Sequence, residues 1–152
     1  MNGSAAKLRR AVEKHKIIGF DTAPFIYYIE DVAPYADVLD PVFRLVDDRT
    51  LGAVTSAVTL AEILARPLAD KHFSLAEEIK FTLKSLNALT VASIDEKLAE
   101  AAALIRARYK IGLPDAFQIA AAIQGEASVF LTNDKAVKKV DAIEVLVVSD
   151  YV

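Results

Sequence analysis

The run from Leu113 to Ala122, LPDAFQIAAA, constrains the fold more than any other stretch. Pro114 belongs in a first helical turn, where its missing N–H costs nothing. Asp115 beside it sits near the positive end of the helix dipole. After these two the run is almost wholly apolar, so it reads as a helix buried on most of its sides. Asp115 has two readings at this point. It stabilises the helix N-terminus, as Asp commonly does, or it is a ligand aimed into a site.

Around that helix, short apolar strands alternate with helices along the whole chain. Ala5 to Lys16 reads as a helix, with Leu8, Ala11 and Val12 at helical spacing. Ile17 to Phe20 is a short buried strand, and Asp21 follows at once. Thr22-Ala23-Pro24 starts a helix. Ala36 to Asp48 is another, kinked or begun at Pro41. Leu51 to Ser56 is a strand, and Ala57 to Ala65 is a helix that carries Glu62 and is closed by Pro67. Leu75 to Leu86 is amphipathic, and Leu89 to Ala92 is a strand. Ser93 to Glu96 has the form of a capping box, opening a helix to about Tyr109. Gly125 stops the central helix. Ser128 to Thr132 is a strand followed by Asn133-Asp134, Ala136 to Val140 is a turn or short helix, and Ile143 to Val148 is the last strand.

This order predicts an α/β fold, a three-layer sandwich with a mostly parallel central sheet of about five strands and right-handed crossovers. Residues 1–16 form an N-terminal helical extension, and residues 17–152 form the α/β domain. A chain of 152 residues, 54% hydrophobic and 26% charged, can bury a sizeable core. It has no cysteine, which excludes disulfides and thiolate metal sites. With only His15 and His72, a histidine-rich zinc site is disfavoured. No apolar run is long enough to cross a bilayer, and the first residues are too charged for a signal peptide, so the expected location is cytoplasmic. A net charge of −3 argues against nucleic-acid binding by bulk charge, but not against a local basic patch or a nuclease whose acids are neutralised by cations.

In a parallel sheet all strand C-termini lie along one edge, where ligands bind. Asp21, Asp134, Asp115 and Glu62 are brought toward that edge by four independent segments. Each has a plainer role available: a cap for Asp21, a turn for Asp134, a helix N-terminus for Asp115, and an ion pair with Arg66 one turn later for Glu62. Together they are harder to explain structurally. Clustered carboxylates repel, and a divalent cation relieves them; all-oxygen ligands favour magnesium or manganese. Such a site activates water and stabilises a phosphodiester transition state.

The pieces Ile18-Gly19-Phe20-Asp21-Thr22, Thr55 to Glu62, Leu113 to Ala120 and Leu131-Thr132-Asn133-Asp134, in this order, resemble the PIN-domain ribonucleases. Among these the chain looks most like VapC-type toxins or their solitary relatives. The resemblance implies a Mg2+- or Mn2+-dependent endoribonuclease with Asp21, Glu62, Asp115 and Asp134 as the catalytic and metal-binding set. Thr22, Ser56 and Asn133 occupy neighbouring polar positions. It further implies an RNA substrate, a homodimer, and, for a toxin, a cognate antitoxin seated at the acidic groove. Candidate phosphate contacts are Lys135, Lys138 and Lys139 after Asp134, and Arg106, Arg108 and Lys110 before Asp115; the plainer reading of both clusters is a solvated face. Two rivals are a non-catalytic PIN-like module for RNA or protein binding, and a phospho-acceptor domain built on Asp21. The second wants an Asp where Ala23 stands. No Gly-x-Gly-x-x-Gly follows the first strand, which disfavours a dinucleotide-binding fold.

Overall fold

The computed structural model describes residues 1–152. Seven α-helices and five strands follow in the order α1 (Gly3–Val12), β1 (Ile17–Phe20), α2 (Thr22–Ile29), α3 (Tyr35–Asp47), β2 (Gly52–Ser56), α4 (Ala57–Ala69), α5 (Phe73–Ser85), β3 (Leu89–Ala92), α6 (Glu96–Tyr109), α7 (Leu113–Gln124), β4 (Val129–Thr132) and β5 (Glu144–Val147). Short 3-10 turns at Lys135–Lys139 and Val148–Tyr151 complete the chain. The sheet order is β3-β2-β1-β4-β5, and every neighbouring pair is parallel.

Alternation along the strands divides the core into two layers. Ile18, Phe20, Val129 and Leu131 face one side, where they pack with Leu8, Val12, Phe25, Leu39, Phe43, Ile63 and Ile79 from α1 to α5. Phe130 faces the other side and packs with Leu98, Ala102, Ile119 and Ala122 of α6 and α7. α7 lies so close to the sheet that a Cβ on Gly19 would come within 2.4 Å of the Ala122 Cβ. α1 is capped by the Asn2 side chain and buries Ala5, Leu8 and Val12 against α3.

Three local expectations are corrected. Pro41 neither starts nor ends α3, because the carbonyl it leaves unpaired, on Asp37, belongs to an exposed residue. Pro67 does not close α4, which runs to Ala69 and stops at Lys71, a left-handed residue with φ 59°. The cap of α6 is Asp95 rather than Ser93: its carboxylate accepts from the Leu98 N–H at 2.8 Å and adds charge at the positive helix end. Gly125 does end α7, but with φ −80°. A side chain there would strike Val54 Cγ2 at 2.7 Å, so close packing is what requires glycine, while Glu126 takes the left-handed conformation. No helix is long and apolar enough to cross a membrane.

Candidate functional site

The strand order reverses at β1, whose two neighbours are β2 and β4. Such a switch point leaves a crevice beyond the strand C-termini. Asp21 follows β1 directly, and its N–H donates to the Leu131 carbonyl of β4 at 2.9 Å. Asp134 follows β4 two residues after Thr132. The Thr132 hydroxyl ties the two together: it donates to Asp21 Oδ2 at 2.7 Å and accepts from the Asp134 N–H at 3.0 Å. Asp115 enters from the first turn of α7, and Glu62 from the second turn of α4.

Asp115 and Asp21 both feel the charges of neighbouring acids. The Asp115 carboxyl is pushed up to about 6, first by burial and then by the charges of Asp21, Asp134 and Glu62. Asp21, 8% exposed, is also raised: burial outweighs the hydrogen bonds from Thr132 and Thr22, and Glu62 and Asp134 add to it. None of the six ion pairs in the molecule involves any of the four acids. No base within ion-pair distance therefore offsets their charge. The plainer roles coexist with it, since Asp21 caps α2 and Asp134 caps the turn at Lys135–Lys139.

Glu62 departs from the ion-pair reading. Arg66 reaches Asp70 instead, at 4.0 Å. Glu62 is exposed, and its Oε1 accepts from the Thr22 hydroxyl at 2.7 Å. Beside it an open cavity of about 410 Å³ runs between α2, α4 and α5, with Ile26, Ile63 and Ile79 in its lining and Arg66 and His72 among its polar groups.

No three acidic or histidine side chains stand close enough, as placed, to enclose a cation. The donor set nevertheless fits a hard divalent ion in its chemistry: carboxylate oxygens only, mutually repelling, and unpaired with any base. Asp21, Glu62, Asp115 and Asp134 are the residues that would hold it.

The polar candidates divide. Thr22 and Ser56 lie in a buried network beneath the acids, joined through Gln118. Asn133 does not: its amide donates to the Tyr27 hydroxyl at 2.9 Å and its carbonyl accepts from the Ser149 N–H. It pins the C-terminal turn to α2. Among the bases, Lys138 pairs with Asp150, Arg108 lies over the Tyr109 ring at 5.3 Å, and Lys139 reaches the Lys110 carbonyl. Arg106 lines a surface groove with Lys110 and Leu113, just before Asp115. Lys135 is exposed and takes no part in any ion pair. Sequence reasoning passed over Thr55, Thr59, Gln118 and Thr132. The available signal was Gln118, a polar residue three positions after Asp115 on an otherwise apolar helix, hence on the same face.

An all-parallel sheet with carboxylates gathered at its switch-point edge defines an α/β protein with an acidic site. A family model for the PIN domain matches residues 18–143. The chain belongs to the PIN domain family. Its fold matches a chain of VapBC2 from Rickettsia felis, solved bound to a DNA fragment from their promoter, with TM-score 0.65, 19% identity, and 86% of this chain and 97% of that one covered. A toxin-antitoxin complex from Klebsiella pneumoniae matches with TM-score 0.61, 19% identity, and coverage of 87% and 97%. FitAB bound to an IR36 DNA fragment matches with TM-score 0.67, 23% identity, and coverage of 87% and 94%. At these identities the likeness is one of fold. A search of curated proteins gave no match.

Proposed function

We propose that this protein is a divalent-metal-dependent endoribonuclease that hydrolyses RNA phosphodiester bonds, and that it is the toxin of a toxin-antitoxin pair. The observation that carries the proposal is the convergence of Asp21, Glu62, Asp115 and Asp134, from four separate segments, on one crevice with no basic partner. Membership of the PIN domain family supports it, as does the fold shared with a toxin-antitoxin complex.

A Mg2+ or Mn2+ ion bound there supplies the charge that offsets the carboxylates and the phosphate, and acidifies the attacking water. Asp21 is held by Thr132 and by the Thr22 N–H, so its carboxylate is oriented before any ligand arrives. Asp115 takes up a proton as pH falls through about 6, and protons then compete with the cation. The cavity beside Glu62 has a mixed lining, with Ile26, Ile63 and Ile79 beside Arg66 and His72, suited to both apolar and charged side chains of an antitoxin seated against the acids. Uncovered apolar side chains, Phe73 and Phe81 on α5 and Leu104 on α6, support assembly with a second copy or a partner.

The direct test is cleavage of a mixed structured RNA pool by the purified protein with EDTA, with Mg2+ and with Mn2+. Cleavage that needs the metal is expected. Its absence under every condition, from folded and metal-bound protein, would move the reading to a non-catalytic binding module. Arg106→Ala and Lys135→Ala are each expected to raise KM for all RNAs alike and to flatten the salt dependence by about one unit of slope. Lys138→Ala should do less, because Lys138 is already paired with Asp150. Equal effects of all three in a salt titration of binding would contradict this ranking.

A further inference from the structure

Beneath the acids lies a hydrogen-bond network whose protons can be placed by counting. Thr55, Ser56, Thr59 and Gln118 are each at most 1% exposed, Thr22 is 6% exposed, and no buried polar side-chain atom in the molecule lacks a partner. The Thr55 hydroxyl donates to the Phe20 carbonyl at 3.0 Å, so its oxygen can only accept from Thr59, at 2.7 Å. Thr59 has then spent its one proton, and its oxygen accepts from Gln118 Nε2 at 2.7 Å. The second proton of that amide goes to Thr22 Oγ1 at 3.1 Å, while Ser56 donates to Gln118 Oε1 at 2.7 Å. Thr22 is left with one proton and one strong acceptor, Glu62 Oε1. With the amide reversed, Thr22 and Thr59 would both have to donate to a carbonyl oxygen, although Glu62 and Thr55 already claim their protons. Only the present orientation satisfies every group.

We infer that Gln118 is a positioning residue for the proposed site: by donating to Thr22 from within the core, it directs the Thr22 hydroxyl outward onto Glu62 and holds that exposed carboxylate over the crevice. This rests on the nuclease reading above. A chain of hydrogen bonds running in one direction is mutually strengthening. Glu62 depends on it most, because holding a surface Glu costs rotamer entropy that the hydrogen bond must offset. The network joins β2, α2, α4 and α7, so the helix that carries Asp115 also orients Glu62. A methionine at 118 keeps the length and removes the amide. The Thr59 oxygen is then free to accept, which gives the Thr22 proton a second acceptor at 3.2 Å in competition with Glu62 and loosens the hold on that carboxylate.

The experiment is a double-variant cycle on the full chain, with Mn2+ binding read by calorimetry and RNA cleavage read as kcat and KM separately. Gln118→Met is expected to weaken Mn2+ binding and kcat roughly 10- to 100-fold, as outer partners of metal ligands do, with KM unchanged. In a Thr22→Val background the same change should alter either quantity by no more than about twofold, because its route to Glu62 is already cut. Equal losses in both backgrounds, or wild-type values in the single variant, would overturn the inference. A wild-type protein that neither binds Mn2+ nor cuts RNA overturns the nuclease reading instead, before any variant is compared. Should Gln118→Met not fold, NMR of the wild type decides. A slowly exchanging Gln118 side-chain amide and a Thr22 hydroxyl proton, each close to the other, are expected; rapid exchange of both would refute the directed network.

Discussion

Asp115→Asn is expected to abolish RNA cleavage and, in the same protein, to stabilise the metal-free chain. The two effects have one cause. The Asp115 carboxyl sits at about 6 in the folded protein against an ordinary 3.8, through burial and the charges of Asp21, Asp134 and Glu62. A raised carboxyl means that the folded state holds a proton the unfolded state has lost. Stability from this group is therefore greatest below about 3.8, falls as pH rises, and is fully lost above about 6. Because the side chain is only half buried, solvent screening leaves a penalty of roughly 1 kcal/mol at neutral pH. Asparagine carries no charge and removes it. At pH 7.5 without metal the variant should unfold about 2–4 °C higher than wild type. Near pH 4 the difference should shrink to nothing. Mn2+ should then reverse the order, raising wild type and leaving the variant nearly unmoved, because only the folded wild type binds it tightly. Thermal scans at the two pH values, with and without Mn2+, check all of this. Wild-type turnover by the variant would remove Asp115 from the chemistry, and a lower unfolding temperature at pH 7.5 would mean that its charge is compensated after all.

Gly19→Ala is expected to damage both stability and cleavage, although Gly19 is remote in kind from the acids. The added methyl group would stand 2.4 Å from Ala122 Cβ and 3.1 Å from Phe130 Cδ1. Ala122 has no long side chain to swing aside, so α7 itself must lift from β1. Overpacking of this sort costs roughly 1–3 kcal/mol. The helix that moves carries Asp115 at one end and Gln118 beneath the site, so kcat should fall with the unfolding temperature. Ala122→Gly placed on the same chain removes the clash. It should recover most of the activity, while retaining a helix penalty of about 1 kcal/mol. Urea melts of the single and double variants beside their cleavage rates test the argument. A single variant as stable as wild type would show that α7 has room to shift.

Three of the four acids were legible in the sequence because each stands at an end of a regular apolar pattern; Glu62 stood out instead as a carboxylate among apolar neighbours inside a helix. Asp21 closes the run Ile17 to Phe20, and Asp134 follows Val129 to Thr132. Asp115 opens α7 next to Pro114, the residue that marks a first turn. The supporting network was not legible in the same way. Thr22 and Glu62 are 40 positions apart, and Thr22 and Gln118 are 96 apart. No local period links them. Thr55 and Thr59 read as ordinary strand and helix residues until β2 is laid beside β1. The plainer Glu62–Arg66 reading followed helix spacing alone; in the structure Arg66 reaches Asp70 instead, and a hydroxyl from another segment, Thr22, bonds the Glu62 carboxylate.

Local patterning by itself therefore determined the element order, the parallel α/β architecture and the positions of the acids. These depend on short-range rules: alternation in strands, the apolar face of helices, and the residues that begin and end them. Only the tertiary structure decided that Asp115 and Asp21 feel the charges of neighbouring acids while no base pairs with any of the four, that Asn133 serves the C-terminal turn, and that Gln118 donates to the Thr22 hydroxyl that reaches Glu62. Electrostatic repulsion and hydrogen-bond direction depend on distances through space between segments far apart in the chain, and those distances exist only once the sheet has brought its strand ends to one edge.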